Sequence, residues 1–320
     1  MRILVTGSSG HLGEALIRTL RAQKHDAIGL DLAASPYTDW VGSIADSGLL
    51  ESIMPGIDAV LHTATLHKPH IATHSRRDFV DTNIGGTLNL LEAAVAHDVR
   101  AFIFTSTTST FGDALTPPAG ARAAWIDEDV TPHAKNIYGA TKTAAEDLCR
   151  LFQRNHGLPC LMLRTSRFFP EPDDHPRRRE AYTDANLKTN EFLYRRADVQ
   201  DLVTPICLPS TARPTSATTP FTRDDLMELR HDTQAVVARR VPGYESEYAR
   251  LSWRMLPGIE RVYDNARARR DLGWRPRDDF AHVLARLRAH DDPRCPLAQA
   301  IGIKGYHAGR FADGLYPVDG

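Results

Sequence analysis

Three glycines spaced three residues apart near the start of the chain constrain its fold more than any other feature. They lie in the segment TGSSGHLG at positions 6–13, directly after the strand-like run 3–5 and directly before the helical pattern 12–20. In a βαβ unit such glycines permit a tight turn, a close approach of the backbone to a pyrophosphate, and close packing of helix on strand. A plain structural turn is the alternative. The residues predicted to bind a dinucleotide here are Gly7, Ser9, Gly10, His11, Leu12 and Gly13.

An acidic residue at the end of the second predicted strand favours one dinucleotide over another. Asp31, in IGLDLAAS, stands eighteen residues past the last glycine of the turn, where a carboxylate accepts hydrogen bonds from an adenosine ribose. No Arg or Lys follows it closely, so a 2′-phosphate would meet this carboxylate without a cationic partner, and NAD is favoured over NADP. Asp46, in VGSIAD, is expected either to lie near the adenine or to be an exposed residue at a helix N-terminus.

The first half of the chain alternates short apolar runs with amphipathic stretches. The runs typical of strands are 3–6, 27–31, 59–62, 101–105 and 160–163. This alternation indicates βαβ units and predicts an α/β fold, a Rossmann-type doubly wound parallel sheet with helices on both faces. In such sheets ligands bind beyond the carboxyl ends of the strands.

The composition of the sequence changes near Pro170, where charged segments that contain proline begin and are predicted to be loops. We therefore predict two parts. Residues 1–165 form the NAD-binding domain with the catalytic residues, and residues 166–320 form mainly a smaller C-terminal substrate-binding lobe and a tail, with some segments returning to the first domain. The tail after His290 is rich in Gly and Pro and is predicted to be irregular.

The composition indicates a small-molecule ligand instead of a large charged partner. The 39 Lys and Arg residues nearly balance the 40 Asp and Glu residues, so no global field favours nucleic acid or a membrane surface. The four cysteines and the histidines show no metal-ligand spacing, which argues against a metal site and a disulfide framework. The start MRILVTG leaves no room for a signal peptide and no apolar run is long enough to span a bilayer, so we expect a cytoplasmic protein.

A tyrosine and a lysine four residues apart are the clearest catalytic candidates. Tyr138 and Lys142, in NIYGATKTAAED, lie on a predicted helix over 136–155, so both project from one face. An ammonium beside a phenol favours the phenolate, and we therefore expect the pKa of Tyr138 to lie below its ordinary value. Such a group takes a proton from a hydroxyl or returns it to a carbonyl. A chance pair on a solvated helix is the alternative.

Five hydroxyl-bearing residues follow the fourth predicted strand. Residues 106–110 read STTST, a run that is unusual for a core and that falls at the carboxyl end of the sheet. One of these hydroxyls is expected to bind the substrate oxygen and to align it, as oxyanion-type donors do. The candidates for substrate binding are Ser106, Thr107 and Thr108.

Six motifs in a fixed order together carry a family resemblance. They are TGxxGxxG, HTAT after the third strand, VDTNIGGTLNLLEAA, FTSTTSTFG, YGATK and ARRDLGWRP, within residues 1–165 and 260–280. They resemble the extended short-chain dehydrogenases, the NAD-dependent epimerase/dehydratase family that acts on nucleotide sugars. The resemblance implies that Tyr138 is the catalytic base, that Lys142 assists it and binds the ribose, and that Thr107 is the catalytic hydroxyl. It also implies that Ala64 contacts the cofactor and that Asn83 orders the site, with a buried helix-capping Asn as the alternative.

The residues after Thr107 depart from the sugar dehydratases of that family. Those enzymes continue with an Asp and a Glu that eliminate water, whereas this chain has Thr108 and Ser109. Elimination needs both a proton donor and a proton acceptor. A 4,6-dehydratase is therefore disfavoured.

The segment LRTSRFFPEPDD at 163–174 also departs from the epimerases. It resembles the corresponding loop of hexuronate dehydrogenases, which leads to an Arg that holds a sugar carboxylate. Arg167 and Arg177 are therefore expected to bind substrate, the latter within a run of three arginines that suits a carboxylate or a diphosphate. A solvated run of charges is the alternative for residues 177–179.

Three functions stay open from the sequence. In the first, an epimerase, Tyr138 removes a hydroxyl proton, a hydride passes to NAD, and the keto intermediate is reduced again from its other face. The second is a sugar or sugar-acid dehydrogenase that releases NADH. The third is a non-catalytic NAD-binding sensor, which would need the glycine turn but not Thr107, Tyr138 and Lys142. The family resemblance also implies a homodimer, formed by helical faces around 84–97 and 141–154.

Overall fold

Alternating strands and helices follow the glycine turn in the computed structural model, which describes residues 1–204 and 213–304. Within these residues the strands are β1 (Arg2–Thr6), β2 (Asp26–Asp31), β3 (Trp40–Val41), β4 (Ala59–His62), β5 (Ala101–Thr107), β6 (Ala124–Ile126), β7 (Cys160–Thr165), β8 (Arg213–Thr215) and β9 (Arg261–Tyr263). All five strands predicted from the sequence are present, and four of them are longer by one or two residues.

Some of the α-helices pack on the two faces of the main sheet, and others lie apart from it. They are α1 (His11–Ala22), α2 (Ser47–Ile53), α3 (Arg76–Phe79), α4 (Gly86–Ala96), α5 (Ile137–His156), α6 (Pro176–Ala181), α7 (Asp184–Glu191), α8 (Val199–Leu202), α9 (Thr233–Arg240), α10 (Tyr244–Arg250), α11 (Ala266–Leu272), α12 (Phe280–Arg288) and α13 (Pro296–Ile301). A π-helical segment, Val80–Gly85, joins α3 to α4.

Seven strands form one sheet in the order β3-β2-β1-β4-β5-β7-β8, and every pairing in it is parallel. The order reverses between β1 and β4, because the chain first builds outward through β2 and β3 and then returns to the other side of β1. A parallel sheet that switches direction in this way is the Rossmann-type doubly wound fold, as predicted, and its switch point is where ligands bind.

Two apolar layers bury both faces of the sheet. One contains residues of α2, α4 and α5, and the other contains residues of α1, α8, α11 and α13. Strands buried on both faces need continuous rather than alternating apolar sequence. β7 fits this rule, since all six of its residues are buried.

Helix α5 begins and ends almost where its sequence predicts. The side chain of Asn136 accepts a hydrogen bond from the backbone of Gly139 at 3.0 Å and caps the first turn. Gly157 ends the helix in the left-handed conformation, with φ of 71°. These caps place Tyr138 in the first turn of α5 and Lys142 one turn later.

A third apolar cluster lies apart from the sheet. It joins residues of α7, α9, α10 and α12 to Ala123 and to Val262 of β9. β9 pairs in parallel with β6 in a separate two-stranded sheet. β6, from the first half of the chain, lies in this separate sheet, whereas β8, from the second half, lies in the main sheet. The two predicted parts thus exchange strands, and the division at residue 165 stays a prediction.

The prediction that the tail is irregular after His290 is wrong for α13. Pro296 occupies its first turn and the Cys295 thiol accepts a hydrogen bond from the backbone of Ala298 at 3.2 Å, which together start a helix. Ile301 packs against α1 in the apolar layer that α1 shares with α8. The rest of the predicted tail, 305–320, lies outside the described residues.

Candidate active site

The carboxyl ends of β1, β2, β4 and β5 open into one cleft of about 780 Å³, within the usual size range of ligand sites. Its walls contain the glycine turn, the end of β2, the Ser/Thr run after β5 and the first turn of α5. The predicted residues that line it are Gly7, Ser9, Gly10, His11, Leu12, Gly13, Asp31, Ala64, Ser106, Thr107, Thr108, Tyr138 and Arg167.

Two glycines of the turn, Gly7 and Gly13, leave no room for a side chain. Gly7 has φ of +73°, and a Cβ there would lie 2.7 Å from the backbone nitrogen of Ala64. A Cβ on Gly13 would lie 1.9 Å from the carbonyl oxygen of Gly7, so α1 packs directly onto the turn. Gly10 precedes α1 without a capping side chain. The open N-terminus of α1 therefore faces the cleft and suits an anion.

His11 extends from this turn toward the loop that follows β7. Its Nε2 lies 3.0 Å from the Glu171 carboxylate, and both side chains are buried. This contact joins the glycine turn, which is predicted to bind the dinucleotide, to the segment PEPDD, which belongs to the predicted substrate loop.

Asp31 lies where a ribose-binding carboxylate is expected. Its two oxygens accept hydrogen bonds from the backbone nitrogens of Ser9 and Ala33, each at 3.0 Å. Asp46, in contrast, caps α2 by accepting a hydrogen bond from Leu49 at 3.0 Å. It does not line the cleft, so the alternative account of Asp46 as a helix N-terminal residue describes its position; Ser43 and Ile44 line the wall there instead.

Thr107 and Tyr138 lie beside each other in the wall of the cleft. Thr107 is the last residue of β5, and its hydroxyl accepts from the backbone of Ser109 at 3.1 Å. Burial raises the pKa of Tyr138 to about 12, and the nearby Thr107 hydroxyl only partly opposes this shift. The expected lowering of the phenol's pKa is therefore wrong for the protein alone, because desolvation of the charged form outweighs any nearby positive charge.

Lys142 is buried on the same face of α5. Its Nζ lies 4.0 Å from the ring centroid of Phe104, and burial lowers its pKa to about 7 although the Glu146 carboxylate, one turn further on, opposes the shift. Lys142 is thus close to the point of half-protonation at neutral pH. Lys142 is not among the residues that line the cleft. A buried lysine with a perturbed pKa is a candidate functional residue.

The hydroxyl of Ser106 serves another purpose than substrate binding. It donates to the Glu146 carboxylate at 2.6 Å, on the buried side of β5. Arg164 of β7 donates to both oxygens of the same carboxylate, at 2.9 and 2.7 Å. The hydroxyl of Ser106 is therefore committed to a network that joins β5, β7 and α5, although Ser106 lines the cleft together with Thr107 and Thr108.

Asn83 lies behind the cleft and not in its wall. Its amide oxygen accepts from the backbone of Leu66 at 2.8 Å and from the Thr65 hydroxyl at 2.9 Å, and its amide nitrogen donates to the Thr141 hydroxyl at 3.0 Å. The residue connects the loop after β4 with α5. Asn83 does not line the cleft, and its role in ordering the site stays a prediction.

The two arginines expected to bind substrate occupy different environments. Arg167 lines the cleft and forms ion pairs with Asp173 at 2.6 Å, Asp174 at 3.0 Å and Glu191 at 3.5 Å. Arg177 lies exposed on α6, outside the lining of the cleft. The run 177–179 is therefore not brought to the site.

Several lining residues were missed by the sequence analysis. Phe168, Phe169, Arg195, Arg261 and Tyr263 all contribute to the wall. No local pattern marks them, because they come from loops and from a three-residue strand that only the folded chain brings to the cleft. Among the described residues, no group of three or more His, Cys, Asp or Glu side chains is arranged to hold a metal. No helix in the same residues has the length and apolar composition needed to cross a bilayer.

Comparisons with known proteins agree with this fold. A family model described as the NAD dependent epimerase/dehydratase family matches residues 3–192. A UDP-glucose 4-epimerase of Halalkalibacterium halodurans is 32% identical over 173 residues, which cover 51% of this chain and 50% of that protein. A uronate dehydrogenase of Pseudomonas putida is 26% identical over 183 residues, 54% of this chain and 63% of that one. The aligned part thus spans about half the length of the first of these relatives.

A solved structure extends the likeness over most of the chain. A short-chain dehydrogenase/reductase superfamily protein from Agrobacterium tumefaciens, solved with bound NAD, is 23% identical, with a TM-score of 0.64 and coverage of 91% of this chain and 98% of that one. At this identity the likeness concerns the fold.

Proposed function

The chain belongs to the NAD-dependent epimerase/dehydratase family, and from this premise we propose that it is an enzyme that oxidises a hydroxyl-bearing carbon of a sugar by hydride transfer to NAD. One observation carries the proposal: the hydroxyls of Tyr138 and Thr107 lie beside each other in the wall of a cleft that the glycine turn also lines. A binding protein without turnover would need the turn but not this pair of hydroxyls.

The cofactor site fits a dinucleotide. The tight turn at Gly7 and the uncapped N-terminus of α1 provide a cradle for a pyrophosphate. The Asp31 carboxylate, at the end of β2, suits the two hydroxyls of an adenosine ribose and supports NAD over NADP. When bound, the nicotinamide ring would supply the acceptor of the hydride. The residues that would hold the cofactor are Gly7, Ser9, Gly10, His11, Leu12, Gly13, Asp31 and Ala64.

Tyr138 and Thr107 are placed to handle the proton of the substrate. The Thr107 hydroxyl would hold the sugar oxygen beside the Tyr138 phenol. With a pKa of about 12, Tyr138 keeps its proton at neutral pH, which is the form that protonates a carbonyl. To remove a proton from a hydroxyl it needs a positive charge nearby, and the protonated form of Lys142 would provide one.

Epimerisation is the first candidate for the overall reaction. The presence of Thr107, Tyr138 and Lys142 supports it. Oxidation of the sugar and reduction of the keto intermediate can use the same tyrosine, which takes the proton in the first step and returns it in the second. An epimerase must also retain its reduced cofactor and allow the keto-sugar to turn within the site. The sugar would be free or nucleotide-linked.

Net oxidation of a sugar or sugar acid is the second candidate. The observation that favours it is the loop after β7, in which Asp173 and Asp174 hold Arg167 in the cleft wall. This segment resembles that of hexuronate dehydrogenases and lacks the Gly-Pro turn that epimerases have at this point. The reaction would end with release of the keto product and NADH.

The experiment that tests the proposal uses purified protein, NAD and a panel of free and nucleotide-linked sugars. NADH absorbance and the stereochemistry of the recovered sugar are measured together. An inverted sugar without free NADH supports epimerisation, and stoichiometric NADH without inversion supports the dehydrogenase. If NAD binds but no sugar changes in either way, the enzymatic proposal is wrong and the sensor function gains support.

A further inference from the structure

The loop between β7 and α6, residues 166–175, forms part of the cleft wall. Five of its residues line the cleft: Ser166, Arg167, Phe168, Phe169 and Asp174. Side chains from the second half of the chain hold its backbone, since Arg196 donates to the carbonyl of Phe169 at 3.2 Å and the Lys188 ammonium donates to the carbonyl of Pro170. The position of this loop therefore decides the shape of the cleft on that side.

Glu171 holds the same loop to the glycine turn. Its Oε1 lies 3.0 Å from Nε2 of His11, and both side chains are buried. The rings of His11 and Phe169 make a second contact, with centroids 6.4 Å apart. Burial raises the pKa of Glu171, but the adjacent His11 imidazole and the backbone N–H of Lys304 outweigh this effect, so the pKa lies below its ordinary value. Glu171 is thus a buried carboxylate between the loop and α1.

Lys304 contacts both Glu171 and helix α1. Its backbone nitrogen donates to Oε1 of Glu171 at 3.1 Å, and its ammonium pairs with the carboxylate of Glu14. Glu14 is also buried, but its other ion pair is with Arg18, at 2.7 Å. Of the two carboxylates that bind Lys304, Glu171 is the one that lies beside His11.

His11 belongs to the cofactor cradle through its backbone and to the loop through its side chain. It is the first residue of α1 and lines the cleft. An anion at a helix N-terminus lies against the backbone of the first turn. A ligand that fixes this turn therefore also fixes the position from which the His11 imidazole contacts Glu171.

We propose that Glu171 is a positioning residue: a pyrophosphate bound at the N-terminus of α1 fixes His11, and the contact between His11 and Glu171 then fixes the loop 166–175 as a wall of the sugar site. This inference rests on the proposed function, since it concerns the cofactor and the sugar of that reaction. Cofactor binding thus prepares the site for the sugar. The coupling is reciprocal, because a ligand that orders the loop is bound more tightly when the loop is already ordered.

Hydrogen exchange of the backbone amides in residues 166–175 tests this coupling, with ADP and NAD as probes. ADP carries a diphosphate without the nicotinamide, so it cannot order the loop through a contact with that ring. Either ligand at saturation should slow exchange in the loop of the unsubstituted protein by roughly fivefold or more, the lower end of usual couplings between sites. Glu171→Gln keeps the size of the side chain without its charge, and it should reduce this slowing to less than about twofold.

Glu14→Gln is the matched control. It changes a buried carboxylate of α1 that also binds Lys304 but pairs with Arg18, so the slowing by ADP should equal that of the unsubstituted protein. Glu171→Asp keeps a carboxylate on a shorter side chain and should give an intermediate slowing. It also serves as the comparison if Glu171→Gln folds poorly.

Four results would overturn the inference. They are unchanged exchange of the loop in the unsubstituted protein with either ligand, slowing by NAD but not by ADP, the same slowing in Glu171→Gln, and an equal loss of slowing in Glu14→Gln. A merely structural role would make the loop of Glu171→Gln exchange faster by the same factor with and without ADP, which is the third of these results.

The same measurement separates this inference from the proposed function, because hydrogen exchange needs no turnover. Glu171-dependent slowing in a protein that converts no sugar would overturn the proposed function alone. Sugar conversion by a protein whose loop does not respond to ADP would overturn the inference alone.

Discussion

At the scale of single residues, the proposed mechanism makes turnover depend on the phenol of Tyr138. Substituting Tyr138→Phe removes the hydroxyl that Thr107 contacts while keeping the ring in place. We expect turnover to fall by about a hundredfold or more, the scale of a lost general acid or base, with NAD affinity nearly unchanged. Steady-state kinetics and a cofactor titration check both parts. Turnover equal to that of the unsubstituted protein would remove Tyr138 from the mechanism.

Lys142 is expected to lower the free energy of unfolding while supporting turnover. Its pKa is 10.5 in an ordinary environment and about 7 in the folded protein, so the unfolded chain binds more protons between these values. The cost of burying the charge is therefore fully present below pH 7 and disappears as the pH rises toward 10.5. Lys142→Met should raise the free energy of unfolding by about 2 to 5 kcal/mol at pH 6 and by little at pH 10, while lowering turnover.

Urea unfolding at several pH values measures this effect. Lys135→Met, which removes an exposed ammonium just before α5, is the control and should leave the pH dependence of stability unchanged. If the free energy of unfolding changes with pH from 6 to 10 in the same way for Lys142→Met and for the unsubstituted protein, burial of the Lys142 charge does not destabilise the fold.

The structure brings the predicted catalytic residues Thr107 and Tyr138 into the cleft but not the predicted substrate residue Arg177, and the reason is physical. Thr107 and Tyr138 belong to compact motifs in which strand, helix and hydroxyl are set by local spacing. Arg177 was expected in the site from loop sequence alone, but α6 leaves it exposed. Ser106 carried a suitable hydroxyl, yet a buried carboxylate 40 residues away uses it.

At the scale of elements, Glu146 fixes β5, β7 and α5 to one another. Its carboxylate accepts from Ser106 and, through two bonds, from the buried Arg164. Glu146→Gln would leave Arg164 without a balancing charge, and we expect a loss of about 3 to 5 kcal/mol in the free energy of unfolding. Chemical denaturation measures it.

Asp147→Asn provides the comparison for this prediction. Asp147 is the next residue of α5 and pairs with Arg150 at the exposed surface. Its substitution should change stability by less than about 1 kcal/mol. Equal losses of unfolding free energy in the two variants would show that the buried Glu146 network stabilises the fold no more than a surface ion pair does.

The elements that the sequence predicted share one property. β1, β2, β4, β5 and β7 are central strands whose continuous apolar runs stand out from their surroundings, and α5 carries caps at both ends. β6 and β9 are three residues each and pair across more than a hundred residues of chain. Such a pairing leaves no local pattern, and Arg261 was missed for the same reason.

At the scale of the whole molecule, the homodimer expected from helices α4 and α5 stays a prediction that an exposed leucine allows us to test. Leu151 lies on α5 and is 36% exposed, while Leu88 and Val95 of α4 are only partly buried. The exposed parts of such apolar side chains on two adjacent helices would be covered if a second copy packed there as a four-helix bundle. Leu151→Glu should then shift the protein toward monomer in light scattering over a range of concentrations, because it places a charge in the interface.

Met227→Glu is the control for this prediction. It changes an equally apolar side chain that is 54% exposed and lies far from both helices in the sequence, and it should leave the mass unchanged. A monomeric mass for the unsubstituted protein, or a dimer that survives Leu151→Glu, would place any interface on another surface.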